Sequence, residues 1–391
     1  MAAPFYLLYR TGFAPTNGTS VQLSRVLAGK EQEMVHLMWD IEEAGATSVP
    51  YSVVVDDSTA WQWPFSRGKG IYSKLRKSLQ LGWWGGEQLG QRKLKRHLSK
   101  ISIKPDHAYI ICLREWDARR AFALWDGLGR PKFLLHVMDI FHDELSESET
   151  PRFVDLVRKA EHVVCISNLI EAEVRRSGAK RTSVLPCGTD FTAENRRPLE
   201  HQLRMIITGA IWLDQYSNNP ALDILVTAWP EIGKHFPGAE LHYAGGAGSR
   251  LPAEVRSLLV DHGHLSTGAY QDLLRSSHLA YLPVSHPSNT FGRYSVPSRL
   301  VDYLACGLPT ITCTDEETSI AAFMRTVPAN CTANVADAHD FVEAVMRFAS
   351  DPVSWAHVST EAATFAEKRL RTEIIRSELN HMLSEVHRRA S

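Results

Sequence analysis

Val296-Pro297-Ser298-Arg299-Leu300-Val301-Asp302-Tyr303-Leu304-Ala305-Cys306-Gly307-Leu308-Pro309-Thr310-Ile311 is the stretch on which the reading of this chain turns. The apolar run Leu279–Val284 before it reads as a buried strand, and a polar loop, Ser285–Ser295, follows. Pro297 suits the first turn of a helix and Gly307 its end. Ile311 and Thr312 open another buried strand. The helix start therefore falls beside a sheet end, with free backbone N–H groups and a partial positive charge. Ser298 adds a hydroxyl and Arg299 a fixed charge, which together suit a phosphate. Asp302 stands four and three residues beyond them, on roughly the same face, where a carboxylate could accept from a ribose diol. A surface helix with a Pro start and a Gly stop explains any one of these residues, but the whole run poorly.

Composition narrows the class. The chain has 391 residues, 44% hydrophobic and 22% charged, which is ordinary for a soluble globular protein of two or three domains. A net charge of −1 argues against the whole chain binding a polyanion. Six cysteines form no C-x-x-C pair and sit mostly in apolar runs, as buried thiols of a reducing compartment do. Phe5–Tyr9 followed by Arg10 lacks the basic start and long apolar core of a signal peptide. No apolar run reaches about 18 residues, so no spanning helix is expected.

In chain order, Phe5–Tyr9 reads as a strand, Thr11–Gly18 as a loop and Ser20–Ala28 as a helix, the opening of a doubly wound α/β domain. Ser52–Val55, Ala108–Leu113, Lys132–Val137, His162–Ile166 and Thr182–Leu185 read as further strands. Helices are expected near Trp116–Gly127, over Pro151–Ala160 and from Ser167-Asn168 to Gly178. The polar stretch Thr192–His201 suits a linker. Arg204–Thr208, ending at Gly209, opens a second series. It continues with a helix from Asn219-Pro220, strand Leu241–Ala244, loop Gly245-Gly246-Ala247-Gly248 and helix Ala269–Ser276. One long amphipathic helix, Thr364–Arg388, is expected at the end. Trp61–Lys104 differs in character: eleven Lys and Arg residues stand against one acid, Glu87, with six aromatic residues interleaved. It suits an anionic membrane surface or a lipid-linked acceptor, or a solvated helical face. No nucleic-acid motif accompanies it.

Pro297–Ile311 resembles the P-S-[KR]-x-x-[DE]-Y-L-A-x-G-x-P-x-I signature of retaining, nucleotide-sugar-dependent glycosyltransferases of the GT-B fold, broad family 4 type. Val164–Ser167 and Val184–Asp190 resemble that family's V-[CS]-x-S and V-[IL]-P-x-G-[VIT]-D. Gly263-His264-Leu265-Ser266 resembles its G-x-[VIL]-[SP] turn. The resemblance implies two Rossmann-like α/β domains facing across a cleft, residues 1–197 on the acceptor side and 198–391 binding the nucleotide-sugar. It also implies a last helix that crosses back to the first domain. It gives His264 and Leu265 the nucleobase edge, Ser298 and Arg299 the phosphates, and Asp302 the ribose. Gly18, Gly209 and Gly246 become close-approach points for the donor. His136 and Asp139, at the end of the Lys132–Val137 strand, become sugar or acceptor contacts and, with Arg299, the candidate catalytic residues. His142 is a further candidate contact. His142-Asp143-Glu144 matches no metal-ligand spacing, so neither metal nor other cofactor is expected.

The chain departs from the family pattern at four places. Asn17 replaces the first glycine of the first loop, leaving only Gly18. Ala210 stands where the family has Arg or Lys, and Asp214–Asn219 lacks the Lys that usually follows. Tyr294 replaces the carboxylate eight residues before Asp302. The expected activity is transfer of a hexosyl group, with retention, from a nucleotide-sugar (UDP-sugar first, GDP-sugar next) to a glycan, lipid-linked or other hydroxyl acceptor. A weakly catalytic nucleotide- or glycan-binding protein and a nucleotide-sugar epimerase stand as alternatives. The expected setting is cytoplasmic, in polysaccharide biosynthesis, peripheral at the inner membrane face, with no nucleic-acid partner.

Overall fold

The computed structural model describes residues 4–9, 18–30, 32–38, 52–54, 98–99, 105–112, 117–140, 150–200, 202–211, 219–246, 251–284 and 293–390. Most of Trp61–Lys104, Arg10, His142-Asp143-Glu144, 212–218 and the loop 285–292 lie outside these residues. The chain forms two compact units. The first comprises Met1–Cys165, Ile170–Leu185 and Arg376–Ser391, and the second Ile166–Leu169 and Pro186–Ile375. The division at Leu185/Pro186 precedes the polar stretch Thr192–His201, which lies wholly in the second unit.

The first unit carries a parallel sheet of β1 (Phe5–Leu8), β2 (Met34–Met38), β3 (Ser52–Val54), β4 (His107–Cys112), β5 (Lys132–Val137), β6 (His162–Cys165) and β7 (Thr182–Val184). Their spatial order is β3-β2-β1-β4-β5-β6-β7. The second unit carries β8 (Arg204–Thr208), β9 (Glu240–Ala244), β10 (Leu259–Asp261), β11 (Leu279–Leu282), β12 (Thr310–Thr312) and β13 (Thr332–Asn334), ordered β10-β9-β8-β11-β12-β13. Two separate parallel sheets are what the two strand–loop–helix series predict. The strand order in the second reverses at β8/β11, the switch point of a doubly wound sheet.

Both faces of the second sheet are covered. Met205 and Ile207 of β8 and Leu279 and Tyr281 of β11 belong to one core cluster. Ile206, Ala280 and Leu282 belong to the other, with Leu300, Val301, Tyr303 and Leu304. Period-2 alternation between two apolar faces explains why these strands read as unbroken apolar runs.

The expected single terminal helix is two helices, Pro352–Arg369 and Thr372–Ala390. A backbone bridge makes the break. Thr189 N–H donates to the Leu370 carbonyl at 2.8 Å, and Thr372 N–H donates to the Thr189 carbonyl at 3.1 Å. Leu370 is buried among residues of the second core cluster, so the turn between the helices is fixed by packing that no local periodicity shows. The end of the last helix, from Arg376, belongs to the first unit, as a helix crossing back requires. Among the described residues, no helix is long and apolar enough to cross a membrane. The six cysteines are free, and five are buried. Burial pushes the Cys313 thiol up to about 11 and that of Cys331 up to about 12, so neither is a ready thiolate.

His278 ties the start of the second unit's sheet. Its Nδ1 accepts from Arg204 N–H at 3.0 Å, and its Nε2–H donates to the Pro198 carbonyl at 3.1 Å. Burial lowers its pKa to about 4, so the folded protein holds it neutral. The unfolded chain binds its proton near pH 6.5. Between about pH 6.5 and 4 the unfolded state therefore holds more protons, and stability falls as pH falls, by up to about 1.4 kcal/mol per pH unit for this residue. A His278→Gln variant should show a flatter melting profile across pH 6.5–4 than the parent, measured by calorimetry in matched buffers. Parallel profiles would dismiss this role.

Candidate nucleotide-sugar site

The second unit gathers most of the expected donor-binding residues at the C-terminal ends of β8, β9, β10 and β11. The signature helix, Ser298–Ala305, follows β11. Pro297 occupies its N-cap position rather than its first turn and gives no side-chain cap. The other end closes as the sequence predicts. Gly307 has φ +73°, its N–H donates to the Leu304 carbonyl at 2.9 Å, and Leu308 N–H donates to the Tyr303 carbonyl at 2.9 Å. That pair of bonds is a Schellman stop. The helix buries Leu300, Val301, Tyr303 and Leu304 and keeps Ser298 and Arg299 half-exposed.

Arg299 reaches the turn after β8. Its Nη1 donates to the Thr208 carbonyl and, at 2.9 Å, to the Ala210 carbonyl. Gly209 lies between them with φ +79°, and a Cβ there would meet Nη1 at 3.0 Å. The residue must be glycine both for its conformation and for the guanidinium's approach. Nε and Nη2 of Arg299 have no hydrogen-bond partner among the described residues. The turn that lacks a Lys or Arg after its glycine thus holds a guanidinium from the signature helix.

Two further turns meet Gly209. Its N–H donates to the Ala244 carbonyl at 2.8 Å, and Tyr243 Oη–H donates to its carbonyl at 2.9 Å. Gly245 N–H donates to the Gly263 carbonyl at 2.9 Å. A Cβ on Gly246 would lie 2.4 Å from His264 Nε2, so the exposed His264 ring covers the Gly246 backbone. Leu265 is half-buried, and Ser266 then caps the helix Thr267–Arg275 by accepting from Ala269 N–H at 3.3 Å. Gly209, Gly246, His264, Leu265 and Arg299 are therefore neighbours through three linked turns.

Asp302 lies deeper. Only 6% of its surface is exposed, and its Oδ1 accepts from Thr189 Oγ–H at 2.7 Å. Thr189 belongs to the Pro186–Asp190 motif and is itself buried. Beneath the Gly209 turn, Tyr303 Oη lies 2.8 Å from Thr208 Oγ1 and accepts from Thr208 N–H at 2.9 Å. Thr189, Thr208 and Tyr303 went unnoticed in the sequence as site supports. The places of Thr189 and Tyr303 in their motifs could have drawn notice, whereas Thr208 carries no such signal. Ser167 donates to the Tyr294 carbonyl at 3.0 Å, so the residue in place of the family carboxylate is buried and held by its backbone.

The first unit holds Gly18, His136 and Asp139. Gly18 opens the helix Gly18–Leu27 after β1. His136 is buried near the end of β5, with Nδ1 2.6 Å from Tyr109 Oη. Burial lowers its pKa to about 4. Asp139 is half-buried just beyond the strand. Elsewhere in this unit the Asp106 carboxylate accepts from His107 Nδ1–H at 2.6 Å and His387 Nδ1–H at 3.0 Å. Three such groups could chelate a cation, but their mutual hydrogen bonds already engage the ligand atoms. They fasten the last helix to β4.

Residues 204–351 match the family model described as Glycosyl transferases group 1. No curated protein matches the chain. Solved structures of similar fold span nearly its whole length. HepE of Anabaena, in complex with UDP and glucose, aligns with TM-score 0.65 and 13% identity, covering 98% of this chain and 100% of that one. Sucrose-phosphate synthase of Thermosynechococcus elongatus aligns with TM-score 0.66 and 14% identity, covering 98% and 99%. Trehalose-6-phosphate synthase OtsA aligns with TM-score 0.63 and 11% identity, covering 98% and 99%. At these identities the likeness establishes the fold, which is GT-B.

Proposed function

We propose that this protein is a glycosyltransferase that moves a hexosyl group from a nucleotide-sugar to a hydroxyl acceptor, with retention and without a metal. The observation that carries the reading is the convergence of the three glycine turns and the signature helix at the β8/β11 switch point, inside the segment that matches the group 1 family. Departure of a nucleoside diphosphate builds negative charge, and fixed donors stabilise it best. Arg299, held by the carbonyls of Thr208 and Ala210, supplies that charge where the chain lacks the family's cation. Asp302 holds the ribose, His264 and Leu265 line the base, and His136 and Asp139 contact the sugar or acceptor. UDP-sugars are the preferred donors and GDP-sugars the next. HepE, which binds UDP and glucose, supports that order by likeness of fold.

The test is a thermal-shift panel of UDP, GDP and their sugars, followed by mass spectrometry of the reaction with and without acceptors. Stabilisation by a nucleoside diphosphate and acceptor-dependent transfer are expected. Binding without turnover would favour a nucleotide-binding protein, and a changed donor without acceptor would favour an epimerase. Arg299→Ala should weaken UDP at least about tenfold, the loss of one charge-assisted bond of about 1.5–3 kcal/mol, and leave uridine unchanged. Equal losses for both, measured by calorimetry, would mean that Arg299 acts only by bracing the turn.

The basic aromatic stretch Trp61–Lys104 we assign to an anionic membrane surface or lipid-linked acceptor on the acceptor side. Flotation with anionic vesicles should be salt-sensitive and should fall when Lys74, Arg76 and Lys77 are neutralised. Equal flotation of that variant would remove the membrane from the proposal.

A further inference from the structure

We infer that Tyr109 is a positioning residue that fixes the tautomer of His136, so that the imidazole carries its proton on Nε2 and serves the sugar-binding side of the first unit as a hydrogen-bond donor, not as a base. Tyr109 and His136 lie on adjacent strands, β4 and β5, where Ile111 pairs with His136 and Tyr109 stands two residues before Ile111. The period of two puts both side chains on one face of the sheet. Their rings are 6.0 Å apart, inclined by 24°. Tyr109 is wholly buried and His136 nearly so, with Tyr109 Oη and His136 Nδ1 at 2.6 Å.

Two arrangements satisfy that distance. If Nδ1–H donates to the phenol oxygen, the phenol proton has no acceptor and the Nε2 lone pair no donor among the described residues. If the phenol donates to Nδ1, the phenol proton and the Nδ1 lone pair are engaged, and Nε2–H and the lone pairs of the phenol oxygen are left over. Each arrangement leaves one donor and one acceptor over, and the second is preferred because the phenol is the more acidic donor and the imidazole nitrogen the more basic acceptor. Charged forms are out of reach. Burial raises the Tyr109 pKa, which keeps the phenol protonated, and holds that of His136 at about 4. Near neutral pH the pair is therefore a phenol donating to a neutral imidazole.

The remaining nitrogen is the informative atom. His136 Nε2 is buried and has no hydrogen-bond partner among the described residues. A buried donor without a partner among the described residues is an exception that calls for an acceptor. The matching chemistry is an oxygen, a hydroxyl or a phosphoryl oxygen of the nucleotide-sugar. This last clause rests on the proposed transferase function; the tautomer does not. Fixing the proton on Nε2 also excludes His136 from accepting a proton there, which assigns it a stabilising rather than a proton-abstracting part.

The test uses the full chain with isotope-labelled histidine and long-range proton–nitrogen correlation, the His136 signal being assigned by its loss in His136→Gln. A protonated Nε2 and an unprotonated Nδ1 are expected from pH 5.5 to 8. A protonated Nδ1 in the parent protein overturns the inference whatever the enzyme does. Tyr109→Phe should give a mixture of tautomers. With UDP-glucose as probe, it should raise the donor Kd about twofold in the parent, the reciprocal of the competent tautomer's remaining share, and leave it unchanged in His136→Gln, whose amide supplies its own donor. Because both effects are read against the matching background, a general loss of stability cannot imitate the coupling. Additive losses in the double variant would reject the positioning role. The fixed tautomer with no binding of any nucleotide-sugar would reject the transferase reading and leave the tautomer standing.

Discussion

Asp302→Asn should bind UDP at least about tenfold more weakly than the parent while melting within a few degrees of it. Asp302→Ala should lose both affinity and stability. The two variants differ in what they leave for Thr189. Its hydroxyl donates to Asp302 Oδ1 at 2.7 Å, and both residues are buried. Alanine removes the acceptor and strands a buried hydroxyl proton, at a cost of about 1–3 kcal/mol. Asparagine keeps a carbonyl oxygen there and removes only the charge. If the carboxylate also accepts from the ribose, those charge-assisted bonds weaken to neutral ones, and about 1.4 kcal/mol corresponds to tenfold. A melting temperature alone would mislead, since loss of the Thr189 contact lowers it in Asp302→Ala whether or not the ribose binds here. Calorimetric titration of both variants with UDP decides, and unchanged affinity in Asp302→Asn would take the ribose off this helix.

The second large effect is on folding. Gly307→Ala should lower the melting temperature of the second unit by roughly 4–20 °C, on the scale of about 2–4 °C per kcal/mol for a unit of this size. Two penalties add. At φ +73° a Cβ is strained by about 1–2 kcal/mol. The added Cβ would also lie 2.7 Å from Ser359 Oγ and 2.9 Å from the Ser359 carbonyl. Backbone cannot swing aside as a side chain can, so overpacking adds about 1–3 kcal/mol. Gly238 provides the control. Its φ is +78°, yet a Cβ there meets nothing within 4 Å. Gly238→Ala carries the strain without the clash, and the difference between the two melting shifts isolates packing. Equal shifts would show that Ser359 yields and that only the backbone matters.

Much of the fold was legible because its signals are local. Buried parallel strands such as Met205–Ile207 and Leu279–Leu282 are apolar on both faces and stand out as runs. The Gly307 stop follows from glycine after a helical stretch, and the Schellman bonds realise it. Three strands are absent from the sequence reading, two of them for the converse reason. β10 and β13 are three residues each and only half-buried or exposed, so they leave little apolar signal, while β2 was passed over although Met34–Leu37 is buried.

Local residue patterns suffice for the alternation of strand, glycine turn and helix, its repetition in two series, and the set of residues able to hold a phosphate and a ribose. Tertiary structure alone decided how those residues are held. Asp302 meets Thr189 from 113 positions away, Arg299 bridges Thr208 and Ala210, and Tyr109 faces His136 from the neighbouring strand. The same structure broke the last helix at Leu370, through pairing with Thr189. Local sequence sets which conformations a segment prefers. The partner of a buried polar group depends on strand order, register and packing, which exist only once distant segments are brought together.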